Sequence, residues 1–462
     1  MATQPVPPPS DPAVLGLIGN TPLVELTRLD TGRCRLFVKL ESQNPGGSIK
    51  DRIALSMIDA AERDGRLKPG GTVVEATAGN TGLGLALVAR AKGYRVLLVI
   101  PDKMSAEKVL HLKALGAEIR MTRSDVTKGH PEYYQDMAER LSSEIPGAFY
   151  VNQFGNPANP LAHERTTGPE IWKQMAHDVD AVVCGIGSGG TLTGLSRYFA
   201  RVSPETQIVL ADPEGSVLAP YVETGKIGEA GSWVVEGIGE DFIPPIADLS
   251  RVARAYSIPD AESLATAREL LKNELILGGS SAGTLVAAAL RYCREQSEPK
   301  RVVSFVPDTG SKYLSKMYND FWMVDQGFLK LPQYGDLRDL VFRRYEEGAV
   351  VSVGAGDPLL TAFQRMRMAD ISQVPVLEGD RVVGILDESD LLLHVYQKPE
   401  RFRDKVATAM IERLETLEPS ASFAELLNVL NSDRVAIIVK DGRFFGLITR
   451  YDLLTFLRRS LP

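Results

Sequence analysis

At 462 residues the chain exceeds what one hydrophobic core can serve, so two or three domains are expected. Its 52 basic and 59 acidic residues leave a net charge of -7, which argues against a nucleic-acid footprint, and no stretch approaches a membrane span in length. Three cysteines, Cys34, Cys184 and Cys293, have neither CxxC nor metal-ligand spacing, which argues against a disulfide framework or a metal site and fits a reduced cytoplasm.

In chain order, Met1 to Pro12 is a proline-rich leader without the basic and apolar layout of a secretory signal, and without a Cys and His pairing that would hold a haem. Next comes Asn44-Pro45-Gly46-Gly47-Ser48-Ile49-Lys50-Asp51-Arg52. Its glycines allow a tight turn, Ser48 can cap the following helix, and Lys50 projects from the first helical turn. An ammonium at the positive end of a helix is disfavoured, so the position needs a reason. Imine formation with an aldehyde supplies one, since desolvation lowers a lysine pKa and exposes a nucleophilic amine. A solvated surface lysine is the plainer alternative.

From Val73 to about Pro307, apolar runs rich in β-branched residues alternate with helical patterns: Val73 to Ala76, Val96 to Ile100, Ala181 to Cys184, Ile208 to Ala211 and Val302 to Val306. This predicts an α/β fold with a largely parallel sheet, whose ligands gather where strands end and helices begin. Thr77-Ala78-Gly79-Asn80-Thr81-Gly82 sits at such a point, before a helix over Leu83 to Ala91, and its amides suit a carboxylate. Gly187-Ser188-Gly189-Gly190-Thr191 follows the strand ending at Cys184 and suits a phosphate, with hydroxyls from Ser188 and Thr191. The same stretch satisfies GxGxxG from Gly185 to Gly190, with Asp212 ending the next strand, so an NAD-dependent dehydrogenase is a competing reading. Gly278-Gly279-Ser280-Ser281-Ala282-Gly283-Thr284 is a further small-residue turn into a helix, with a serine able to meet a pyridine nitrogen.

A linker is placed at 324–340, after a first domain of 1–323. Beyond it a repeat is visible: the run from Val374 to Asp390 parallels that from Val435 to Asp452, each reading strand, turn, strand and helix. The copies are assigned to 341–400 and 401–462, a pseudo-symmetric module that buries its face between them.

Taken in order, the Lys50, Asn80, Gly187 and Ser280 segments resemble the pyridoxal-phosphate enzymes of the β-replacement family, fold-type II, over roughly residues 12 to 322. Ile18 to Val24, Gln153 to Pro160 and Val235 to Pro244 are similar to further family segments. The resemblance implies a tryptophan-synthase-β-like catalytic domain with twisted parallel sheets. Lys50 would hold pyridoxal 5'-phosphate and act as the α-proton base, Asn80 would meet the ring hydroxyl, and Gly187, Ser188, Gly189, Gly190 and Thr191 the phosphate. Ser280 would meet the pyridine nitrogen, in competition with Ser281. Thr77, Ala78, Gly79, Thr81 and Gln153 would bind the substrate carboxylate.

The tandem repeat resembles the regulatory CBS-domain pair. With Glu236 to Phe242 and Ala211 to Ser216, it implies a haem-free, metal-free carbon-oxygen lyase of the branch that condenses L-serine with L-homocysteine to cystathionine and water, with hydrogen sulfide as a further product. The alternative within the family is cysteine synthesis from O-acetylserine and sulfide. Gly446 to Asp452 is similar to a nucleotide-binding pattern, with Thr449 toward phosphate or sulfonium and Asp452 toward a ribose, so S-adenosylmethionine is an expected regulator. Asp387 stands at the matching place of the first copy and would repel a phosphate. A cytoplasmic homodimer or larger homo-oligomer is expected. Departures from the family pattern fall at Ala78, Phe154 and Glu240, where serine, tyrosine and tyrosine are the usual residues, and they bear on the second substrate.

Overall fold

The computed structural model describes residues 12–459, apart from 78, 103–105, 127–128, 331 and 433. Two compact units divide between Tyr318 and Asn319. The strands of the first are β1 (Leu23–Leu26), β2 (Arg35–Leu40), β3 (Thr72–Ala76), β4 (Arg95–Pro101), β5 (Glu118–Thr122), β6 (Ala148–Tyr150), β7 (Ala181–Cys184), β8 (Gln207–Pro213), β9 (Val252–Ile258) and β10 (Arg301–Val306). They form a six-stranded sheet ordered β1-β2-β10-β7-β8-β9 and a four-stranded sheet ordered β5-β4-β3-β6. Among the described residues of these two sheets, only the β1–β2 pairing is antiparallel; the rest run parallel.

Parallel sheets need cover on both faces, which is why their strands read as unbroken apolar runs. Leu36, Val38, Val182, Val209 and Val302 are fully buried in one core; Val73, Leu98, Ile53 and Leu85 lie in the core of the smaller sheet. All the strands expected from the sequence are present. Those not anticipated, β1, β2, β5, β6 and β9, are short, edge-placed or carry exposed charged positions, so their pattern is weaker.

Four helices bear on function: α1 (Lys50–Arg63), α2 (Asn80–Ala91), α3 (Gly190–Val202) and α4 (Ser280–Arg294). The α2 helix starts at Asn80, earlier than the expected Leu83. The Ser48 hydroxyl accepts from the Lys50 amide at 3.2 Å, while Ile49 occupies the capping position itself. The α1 helix is anchored by Arg52, which is 3% exposed and pairs with Glu41 and Glu170, each at 2.7 Å. A buried ion pair of this kind holds orientation more than it adds stability.

In the second unit, β11 (Val353–Gly354), β12 (Gln373–Glu378) and β13 (Arg381–Asp387) form one three-stranded sheet. A matching sheet contains β14 (Thr416–Leu417), β15 (Ala436–Lys440) and β16 (Arg443–Ile448). The two sheets share strand order, direction and a bulge in the hairpin, as a repeat requires. The helix Asp320–Asp325 belongs to this unit, since Arg458 pairs with Asp325 at 2.7 Å and Arg343 covers the Phe321 ring at 5.4 Å. From the expected linker, Leu337 and Leu340 are buried in the core of the second repeat. No helix among the described residues is long and apolar enough to cross a membrane.

Candidate functional site

The starts of α1, α2, α3 and α4 converge on one cavity of about 270 Å³. Its wall includes Lys50, Thr77, Gly79, Asn80, Thr81 and Gln153, together with Gly187, Ser188, Gly189, Gly190 and Thr191. Ala78 lies outside the described residues. Of the two serines at the α4 start, Ser281 lines the cavity, whereas the Ser280 hydroxyl accepts from the Glu236 amide at 2.9 Å. Their separation follows from helix geometry, since adjacent residues point in directions about 100° apart.

Desolvation lowers the Lys50 amine below the usual lysine range, and Glu240 and Asp308 partly oppose this. The amine is therefore easier to deprotonate than a surface lysine. The α1 start is stitched to the end of β10: Ile49 donates to the Pro307 carbonyl at 2.8 Å and Thr309 to the Gly47 carbonyl at 3.1 Å.

The loop before α3 is built for an anion. Gly189 adopts φ +91, a left-handed conformation that favours glycine, and no acidic residue lies between 187 and 191. The first-turn amides of a 13-residue helix have no intrahelical partner, and they face positive potential outward. Asn159 is fully buried and clamps the loop, donating to the Ser188 hydroxyl at 2.9 Å and the Gln153 carbonyl at 2.8 Å. The Thr191 hydroxyl lies 3.2 Å from His163 Nε2, and burial, with Arg52 and Lys50 nearby, holds that imidazole neutral well below its usual range.

On the substrate side, the Thr81 hydroxyl donates to Gln153 Oε1 at 2.7 Å. The Gln153 amide donates to Glu75 at 3.0 Å, and burial pushes the Glu75 carboxyl up to about 7. Asn80 is held from both sides, its oxygen by Lys312 at 2.6 Å and its nitrogen by Asp308 at 2.8 Å. Glu240 and Phe154 also line the cavity, and Phe154 packs on Phe242 with ring centroids 5.6 Å apart. Burial, with Asp241 adding repulsion, pushes the Glu240 carboxyl up to about 8, against the pull of Lys50.

Glu240 has a measurable consequence for stability. Its proton is bound more tightly in the folded chain than in the unfolded one, so the carboxyl does not penalise folding below about pH 4.5 and does so increasingly as pH rises to about 8. Glu240→Gln is therefore expected to match the parent's thermal midpoint at low pH and to exceed it progressively toward pH 8. Parallel pH profiles for the two proteins would contradict this burial-driven shift.

The dinucleotide reading finds no support at its acidic residue. Asp212 is fully buried, away from the cavity wall, and accepts from the Ala219 amide at 2.9 Å, tying down its own loop. Among residues around the cavity, His163, Asp308 and Lys312 had no family signal, being isolated polar residues whose roles depend on distant partners, whereas Asn159 lies in the Gln153 to Pro160 segment without being singled out there. Proximity to a glycine turn was the one available hint, for Asp308 beside Gly310.

In the second unit, Thr449 and Asp452 line a cavity of about 490 Å³ that also includes Arg343, Arg434 and Ser372. The Thr449 amide and hydroxyl both donate to Asp452 Oδ2, at 2.7 and 2.6 Å, forming a helix cap. Asp387 makes the corresponding capping box with Asp390 in the first repeat.

The residues fit a phosphorylated aldehyde: an acid-free helix start, a desolvated lysine and hydroxyls on one cavity. Residues 14–308 match the family of pyridoxal-phosphate dependent enzymes, and residues 345–396 and 406–459 match the CBS domain. The chain is 42% identical to cystathionine beta-synthase of Saccharomyces cerevisiae, over 96% of this chain and 97% of the relative. It is 36% identical to the Dictyostelium discoideum enzyme of that name, over 97% of this chain and 92% of the relative. Cysteine synthase A of Escherichia coli is 42% identical but covers 64% of this chain. Among solved structures, a hydrogen sulfide-producing enzyme of Fusobacterium nucleatum aligns with TM-score 0.60 and 36% identity, over 65% of this chain and 99% of that one. The fold and site thus define a pyridoxal-phosphate-dependent enzyme with a C-terminal CBS-domain pair. Within that class, the chain belongs to the cystathionine β-synthase family.

Proposed function

We propose that this enzyme condenses L-serine with L-homocysteine to give L-cystathionine and water, with S-adenosylmethionine as regulator. The observation that carries the reaction is the likeness to cystathionine β-synthases over 96–97% of the chain, CBS pair included, where cysteine synthase A covers 64%.

Bound at the cavity, pyridoxal phosphate supplies an aldehyde for amine capture and an electron-withdrawing ring that stabilises charge beside Cα. Lys50 would hold that aldehyde, and its free amine would take the Cα proton of serine and later return it. Gly187 to Thr191 take the phosphate at the α3 start. Asn80 donates to the ring oxygen. For the pyridine nitrogen, Ser281 is preferred to Ser280, because the cavity wall contains Ser281. Thr77, Gly79, Thr81 and Gln153, with Ala78, clamp the substrate carboxylate and so orient the Cα–H bond. The serine hydroxyl leaves Cβ as water, its extra proton balanced by the one the homocysteine thiol gives up, and the resulting thiolate takes its place. Phe154 and Glu240 stand where the thiol substrate must be accommodated.

The cavity at Thr449 and Asp452, with Arg343, Arg434 and Arg450 for charge and the carboxylates of Asp370 and Asp452 for ribose hydroxyls, supports an adenosyl ligand. Exposed Leu392, Leu393, Tyr451 and Leu454 on the helices of the second unit support a homodimer or larger homo-oligomer. The three buried, unpaired cysteines support a cytoplasmic setting.

One experiment tests both parts. The purified protein is given pyridoxal phosphate and either serine with homocysteine or O-acetylserine with sulfide, with and without S-adenosylmethionine, and products are identified by mass spectrometry. Cystathionine is the expected product, at a rate that changes with the nucleoside. Cysteine formation alone would overturn the reaction, and an unchanged rate with no calorimetric heat would remove the regulator.

A further inference from the structure

We propose that Asp308 and Lys312 are positioning residues that key the Asn80 side chain, so that its amide presents an N–H to the cavity. The proposal rests on the reading of Asn80 as donor to the cofactor's ring oxygen.

An asparagine amide has two orientations of nearly equal shape, one placing oxygen and the other nitrogen at a given spot. At Asn80 both ends are fixed by charge. Lys312 Nζ donates to Oδ1 at 2.6 Å, and Nδ2 donates to Asp308 Oδ2 at 2.8 Å. A flip would set an amide nitrogen against an ammonium and an oxygen against a carboxylate, two repulsions in place of two charge-assisted bonds. Asp308 uses one of the two Nδ2 hydrogens. The other remains on the side chain of Asn80, a residue of the cavity wall.

Asp308 is itself held firmly. It is 1% exposed, and Tyr313 donates its hydroxyl to the same Oδ2 at 2.9 Å. Its backbone bridges Ser48, two residues before Lys50, and its carbonyl accepts from the Gly279 amide at 3.1 Å, beside the serine turn. One residue at the end of β10 thus ties together the lysine turn, the Asn80 helix start and the serine turn. The geometry points to a frame whose readout is the donor at Asn80.

The test uses Lys312→Met and Asp308→Asn, alone and each combined with Asn80→Ala, in the full chain. Pyridoxal phosphate affinity, the pH dependence of the bound cofactor's visible absorbance, and the thermal midpoint are measured. Each single variant is expected to weaken cofactor binding roughly tenfold or more and to move the absorbance pH profile, the scale of one misplaced charge-assisted hydrogen bond. In the Asn80→Ala background neither should add a further effect, because both act through that amide. Native affinity and profile in both single variants would overturn the proposal, as would equal losses with and without Asn80. If Asn80→Ala alone changes neither quantity, the reading of Asn80 fails first and the keying falls with it. Lys312 is partly exposed, so its variant carries the test even if Asp308→Asn fails to fold.

Discussion

Replacing Lys50 by alanine is expected to reduce turnover of serine and homocysteine by roughly 10⁴-fold or more, the combined scale of losing a covalent anchor and a proton carrier. The physical reason lies in where the amine stands. The cavity strips it of water, so its pKa falls, while Glu240 and Asp308 restore part of the charge. Alanine leaves the anion loop and Asn80 in place, so the cofactor should still bind, although more weakly. Borohydride separates anchoring from folding: treated wild type should carry the cofactor on the peptide containing Lys50, and Lys50→Ala should carry none. Full turnover in Lys50→Ala would end the assignment of Lys50 as proton carrier.

Gly190→Ala tests the other end of the site. A Cβ there would lie 1.8 Å from Asn159 Oδ1, far inside contact distance. Asn159 cannot swing away cheaply, since its nitrogen is bonded to Ser188 and Gln153 and the side chain is fully buried. Either the α3 start moves or Asn159 does, and both distort the phosphate cradle. A pyridoxal phosphate affinity at least about 100-fold weaker is expected, with a stability loss of about 1–3 kcal/mol from overpacking. Gly16→Ala serves as control, because a Cβ there meets nothing within 4 Å. Native affinity in Gly190→Ala would remove this loop as the phosphate site.

Much of the fold was legible because parallel strands buried on both faces write continuous apolar runs. The runs at Val73, Val96, Ala181, Ile208 and Val302 all became strands. Edge strands such as β5, with pattern Glu118-Ile119-Arg120-Met121-Thr122, carry exposed charge and look like loop. The sequence boundary at 323 and 324 cuts through the helix Asp320–Asp325, because nothing local marks its partner, Arg458, far along the chain. The choice between Ser280 and Ser281 is likewise undecidable from the sequence, since the two serines are adjacent in one Gly-Gly-Ser-Ser turn. Which one faces the cavity depends on the rotation of α4 about its axis, set by packing against its neighbours.

By itself the sequence determined the alternating α/β plan, the repeat, and the four turns where chemistry gathers, because glycine, serine and lysine act locally through backbone freedom and helix starts. Only the tertiary structure decided what surrounds those turns. Asp308, Lys312, Asn159 and His163 acquire roles through partners dozens to hundreds of residues away, and burial gives Glu240 a carboxyl near 8 and Lys50 a lowered amine. Desolvation and long-range hydrogen bonds are properties of packing, which no local run of residues encodes.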